Sequence, residues 1–251
     1  MDADILPENI SISRFNELLS RYNALVESIS RDKTPKKPDQ PSLLELDAFR
    51  YIEATEALRS DNPKRKISYH DVTTLVDWKL RHGKFRPTLM KLVSSNDEKV
   101  VEKTIQEAVS GYWSDKDITK AMNAIAKLKG IGPATASLLL SVHDPERVIF
   151  FSDEAFWWLC CSGRKSPIKY NAKEYGQLSD LANKMAKKLQ VKATDIEMVA
   201  YVAMKENPSK SAPELTDDAI HRAPAKRKAA SVIGTDTDAK PLRRSLRQKA
   251  S

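Results

Sequence analysis

Apolar residues return every three or four positions along most of this chain, a spacing that fits one face of a helix and not a strand. It runs over positions 15–29, over 43–58, through Val72, Leu75, Val76 and Trp78, through Leu89, Met90, Leu92 and Val93, and along Ile118, Met122, Ile125 and Leu128. Helix-start residues stand where the runs begin: Ser68, Asn96 or Asp97, Asp115 or Asp117, and Ser152 offer cap oxygens, and Pro87 and Pro133 suit a first turn. Only 7 of 251 residues are glycine, few for the turns of a strand-rich chain. One apolar run, Val148, Ile149, Phe150 and Phe151, looks like a strand but has no partner run. The expected class is all-α.

Residues 30–42 (SRDKTPKKPDQPS) carry three prolines and no apolar face, so they read as a linker. The expected organisation is an N-terminal helix and linker over 1–42, a helical body over 43–206, and a basic tail over 207–251. The net charge is +8, and the tail holds ten Lys or Arg against five Asp or Glu. Its aromatic-free composition predicts disorder. Its clusters at 226–228 and 243–249 suit a nuclear-import receptor, which points to the nucleus.

No stretch reaches the length of a membrane span, and the acidic N-terminus is unlike a secretory signal, so no membrane partner is expected. The two cysteines, Cys160 and Cys161, are adjacent; without a CxxC pair, cysteine-held zinc and iron–sulfur clusters are excluded. They read as buried thiols in a reducing compartment. Neither metal nor cofactor is expected, and the chain is read as a monomer.

The most informative segment is LKGIGPATAS, 128–137. A helix ends, two glycines turn the chain, and Pro133 opens the next helix. Ile131 is expected to point inward. Gly130 and Gly132 let another molecule approach the backbone, and the amides around Ala134 and Thr135 face outward at the positive end of a helix dipole. Such a turn suits a nucleic-acid phosphate. It also suits an ordinary helix–helix corner, and on these residues alone both readings stand.

The residues after the hairpin carry a resemblance. From 128 to 157 the sequence resembles the helix-hairpin-helix DNA glycosylases: a hairpin (LKGIGPATA), a short loop (HDPERVIFF), and a helix opening at Ser152-Asp153-Glu154. GPATAS, FFSDE and WKLRHGKFRPTL resemble the eukaryotic nuclear Amun-like branch. The resemblance spans about 43–206. It implies a glycosylase-like helical bundle that binds DNA, takes part in repair, and receives a flipped base in a pocket. Asp153 matches the aspartate that would stabilise the cationic sugar and orient a water as the N-glycosidic bond breaks. Bifunctional members carry a lysine near the position of Ala134. GPATAS has none, so the resemblance implies a hydrolase without lyase activity.

Other readings accompany it. Asp153 would serve equally as a helix cap, and Glu154 reads as solvent-facing or as a first-turn dipole partner rather than a catalytic twin. Phe151, Phe156, Trp157 and Trp158 read as core rather than base-stacking residues, and a pocket filled by them would make a binding protein on a glycosylase fold. In 78–87, Lys79, Arg81, Lys84 and Arg86 are expected on phosphates, with Trp78 and Phe85 anchoring the loop and His82 at the surface. Two alternatives to the enzyme remain: a catalytically inactive DNA- or chromatin-binding module, and a helical scaffold that never meets DNA.

Overall fold

The computed structural model describes residues 1–32 and 40–207. Most of the expected linker and the tail from 208, with its clusters at 226–228 and 243–249, lie outside the described residues. Among the described residues the chain is all-helical, with no strand. No described helix is long and apolar enough to cross a membrane.

In chain order the elements are α1 (Ile12–Asp32), α2 (Leu43–Ala48), a π turn (Phe49–Ala54), α3 (Thr55–Leu58), α4 (Tyr69–His82), α5 (Leu89–Val93) and α6 (Glu98–Asp115). After these come α7 (Ile118–Ile125), α8 (Pro133–Ser141), α9 (Asp153–Cys161), α10 (Ala172–Leu189) and α11 (Ala193–Glu206). Ser68 and Ser42 close capping boxes, and Asp97, Asp117 and Ser152 each accept an N3 amide as N-caps. Asn96, the other candidate cap, instead bonds the backbone of Lys129.

The core centres on α11, whose Ile196, Val199, Ala200, Val202 and Ala203 are buried, against α1, α9 and α10. α1 contributes Phe15, Leu18, Tyr22 and Val26, and the indole of Trp158 donates to the Ile5 carbonyl at 2.9 Å. The N-terminal helix is therefore part of the same body as 43–206.

Two stretches depart from simple helical spacing. Ile52, one of the apolar residues of the 43–58 run, is 56% exposed, and Arg50 takes the interior at 1%. The π turn is the reason: its wider pitch rotates the following side chains, and α-spacing no longer predicts which face is buried. The helix expected from Pro87 begins only at Leu89 and is five residues long, so Leu92 falls on an exposed face.

The strand-like run at 148–151 forms neither strand nor helix. Side chains satisfy two of its amides: Phe150 N–H donates to Glu197 Oε2 at 3.2 Å and Phe151 N–H to Ser137 Oγ at 2.9 Å, while Val148 N–H donates to the Asp144 carbonyl at 3.0 Å. All four of its apolar side chains are buried. This buried segment, tied to Ser137 of α8, leads into α9, which has Asp153 at its first position.

Candidate functional site

The hairpin's two glycines do different work. Gly130 has φ +76°, and a Cβ there would lie 2.8 Å from Leu92 Cβ and 3.1 Å from Val93 N. Only glycine fits that turn without strain. Gly132 has φ −95°, and a Cβ there would meet nothing within 4 Å. Its space is open. Ile131 is buried, as expected, and its amide donates to the Leu128 carbonyl at 3.1 Å. Asn96 pins the turn from outside: its side chain accepts from Lys129 N at 2.9 Å and donates to Lys129 O at 3.0 Å. At the start of α8 the amides of Thr135 and Ala136 both bond the Gly132 carbonyl, leaving the Ala134 amide outside the helical ladder.

That turn forms one wall of a cavity of about 330 Å³. Gly130, Gly132, Ala134 and Thr135 line it from the hairpin, Lys79, Lys84 and Arg86 from α4 and the loop after it, and Asp153 from α9. Phe150, Phe151 and Tyr170 supply aromatic surface. The volume lies within the usual range of small-ligand sites. Phe156 and Trp158 are core residues, and Trp157 is half-buried with its indole donating to the Ser166 carbonyl at 2.7 Å. The large side chains around Asp153 therefore leave the cavity open.

Asp153 is not the cap of its helix. Ser152 fills that role, its Oγ accepting from Ala155 N at 3.0 Å. The Asp153 carboxylate lines the cavity and accepts a hydrogen bond from the Tyr170 hydroxyl. Tyr170 sits at φ +53°, a strained position for a residue with a side chain. Its ring packs 5.4 Å from that of Phe151, and the Arg86 guanidinium lies 5.5 Å from its centroid. Burial and the neighbouring Asp153 hold its hydroxyl protonated, well above the usual tyrosine range. Nothing in the sequence singles out Tyr170, because it comes from a loop 17 residues past Asp153.

Glu154, read as solvent-facing, is buried and paired with Lys205 of α11 at 2.9 Å. The reason is packing: α9 lies against α11, and the side of α9 next to Asp153 faces that helix.

The basic segment divides. Lys79 is half-buried in the cavity wall, and no carboxylate stands within salt-bridge distance of it among the described residues. Burial pulls its amine down to about 8, nearby Arg86 pulls the same way, and Asp153 opposes them. Lys84 and Arg86 are exposed at the rim. Arg81 does not reach the cavity. Its guanidinium holds Asp77 in a two-pronged pair, with a 2.8 Å contact, and also donates to the Pro41 carbonyl. One helical turn separates Asp77 from Arg81, which makes this partner the local one.

Phe85 does not anchor the loop. It is 66% exposed, between the two rim cations. His82, read as a surface residue, is buried, stacked 4.4 Å from Trp78 and 3.9 Å from Tyr201. α4 runs through His82, four residues past Trp78, so both share the inward face. That spacing is visible in the sequence.

Behind the cavity wall lies a second polar group, fully enclosed. Arg50 pairs with Glu197, and both are buried, at 1% and 3% exposure. Tyr51 Oη donates to Glu197 Oε1 at 2.7 Å, and the Arg50 guanidinium lies 3.9 Å from the Trp78 ring centroid. Asp47 accepts from the Trp78 indole at 2.9 Å and the Tyr22 hydroxyl at 2.8 Å. Burial pushes its carboxyl above the usual range against those two donors. The cysteines are half-buried and free, not enclosed, and burial pushes the Cys160 thiol up to about 12.

Among the described residues, no group of three or more His, Cys, Asp or Glu could hold a metal ion. No family model, curated protein or solved structure matches the chain.

Proposed function

We propose that the cavity is a nucleotide site and that the protein is a nuclear DNA-binding repair enzyme, a monofunctional DNA glycosylase on a helix-hairpin-helix bundle. The observation that carries this reading is the shared cavity: hairpin backbone, three cations and one uncapped carboxylate line a single space. A phosphate is held by the open backbone at Gly132 and Ala134 and by Lys84 and Arg86. Phe85 stacks on a base at the rim, where an exposed ring between cations meets a strand. A flipped base occupies the aromatic interior, and the Asp153 carboxylate stabilises the cationic sugar and orients water toward it. Import to the nucleus falls to 226–228 and 243–249.

Tyr170 supports a second reading, a DNA- or chromatin-binding module without chemistry, because its hydroxyl already engages Asp153. Base release from duplexes carrying a panel of damaged bases separates the two. The enzyme releases at least one base, and Asp153→Asn slows release 100-fold or more while salt-dependent DNA binding persists. Binding with no release from any duplex leaves the module.

A further inference from the structure

A second cavity, of about 340 Å³, is bordered by the end of α3 and its following loop, by Trp113 of α6 and by the stretch 143–146 after α8. It shares no lining residue with the hairpin cavity. Its wall is held from two sides. Ser60, at φ +89°, donates its amide to the His143 carbonyl at 3.0 Å, and the first amides of α11 donate to the carbonyls of Pro145 and Glu146 at 3.2 and 3.1 Å.

Two buried polar atoms of lining residues have no partner among the described residues: His143 Nε2 and Trp113 Nε1. His143 is 3% exposed, and its Nδ1 bonds the Leu58 carbonyl at 3.0 Å. A carbonyl only accepts, so Nδ1 carries the proton and Nε2 presents a lone pair. Burial pulls the ring down to about 4, so near pH 7 it is neutral and Nε2 stays an acceptor. The Trp113 indole N–H is a donor without an acceptor. An unsatisfied buried polar atom is unfavourable, and a bound group that reaches it offsets that loss.

The ions of this cavity are paired with two exceptions. Glu56 pairs with Lys64 at 3.9 Å, and Glu146 with Lys192 at 3.3 Å. Arg59 and Asp144 have no salt-bridge partner among the described residues, and so do not pair with each other. Asp144 is 4% exposed, its Oδ2 accepting from the Tyr112 hydroxyl at 2.7 Å, and Arg59 is exposed. One space therefore brings together an unpaired cation, an unpaired carboxylate, a donor and an acceptor. A simple anion answers half of that set and a simple cation the other half. A molecule carrying both charges answers all of it.

We propose that this cavity binds a small amino acid, a zwitterion whose carboxylate takes Arg59 and the Trp113 indole N–H and whose ammonium takes Asp144 and His143 Nε2. The space is ample for a single such molecule. The site stands apart from the nucleotide reading, because the two cavities have no residue in common.

The test uses the full chain with isotope-labelled tryptophan. Its four tryptophans give four indole N–H signals, and Trp113→Phe identifies the one from position 113. The chain is titrated with each protein amino acid, with β-alanine and with γ-aminobutyrate, which spread the two charges farther apart. Acetate, methylammonium and guanosine are the controls, offering one charge or a base edge alone. At least one zwitterion is expected to move the Trp113 signal to saturation at millimolar concentration, with every control at least tenfold weaker. Arg59→Gln and Asp144→Asn are each expected to weaken that binding tenfold or more. Arg59 is exposed, and Asp144→Asn keeps an acceptor for Tyr112, so both should melt with the native chain. If Asp144→Asn does not fold, Arg59→Gln alone decides. No shift with any zwitterion means that ordered water alone serves the two orphan atoms, and overturns the proposal. So does a control that binds as well as the best zwitterion, or unchanged affinity in Arg59→Gln.

Discussion

Arg50 and Lys79 are both cations withdrawn from water, and both neighbour Trp78: the Arg50 guanidinium lies over its ring and Lys79 follows it in α4. Arg50 has a carboxylate in contact and the rings of Tyr51, Trp78 and Phe150 against it, and is 1% exposed; Glu197 and Tyr51 hold it charged, above even the usual guanidinium range. Lys79 borders a cavity, and the acid opposite it, Asp153, is occupied by Tyr170. Its amine is pulled down instead. The difference teaches how this fold places its charges. In the interior Arg50 is matched to a carboxylate, because an unmatched ion is costly there. The cavity keeps its charges incompletely matched, which suits the anionic ligand proposed for it.

The strongest way to break this comparison is to remove the matched partner. Glu197→Ala leaves Arg50 buried alone and also strands the Phe150 amide, which forms the back of the cavity. The expected loss is about 3–5 kcal/mol in urea unfolding. A loss under about 1 kcal/mol would erase the distinction between the two cations.

A smaller effect comes from the hairpin. Gly130→Ala forces a side chain to φ +76° and against Leu92, and should cost about 1–3 kcal/mol. If it is neutral, the turn is looser than its packing implies.

Smaller still, Lys79→Met should leave stability within about 1 kcal/mol of the native chain near pH 7 and alter its pH dependence. A lysine depressed below its unfolded value disfavours the fold while charged. The native chain therefore gains stability as pH climbs from about 8 toward 10.5, and Lys79→Met should lack that gain. Parallel stability–pH curves for the two proteins would mean that Lys79 is as solvated as any surface lysine.

The helices, their caps and the hairpin were legible in the sequence because each rests on local spacing: Ser68, Asp97, Asp117 and Ser152 cap where their runs begin. The pairing of hairpin and Asp153 around one space was legible only through resemblance, since Gly130 and Asp153 come from different elements. Arg50 was hidden by the π turn, which breaks the phase on which helical reading depends. Tyr170 was hidden because a loop at positive φ places it. Arg81 and Phe85 show the limit of a charge pattern. The same segment puts one cation on Asp77 and leaves an aromatic in solvent, and only packing decides which.

The central claim is that the open backbone at the hairpin faces a nucleic-acid strand. Gly132→Glu tests it most directly, because the position has room for a side chain and no positive φ, so the fold should survive. The measurement is duplex DNA affinity of the full chain and of Gly132→Glu at two salt concentrations. Salt-sensitive binding is expected of the native chain, with binding at least tenfold weaker in the variant at equal melting temperature. Equal affinity in the two proteins would contradict the claim.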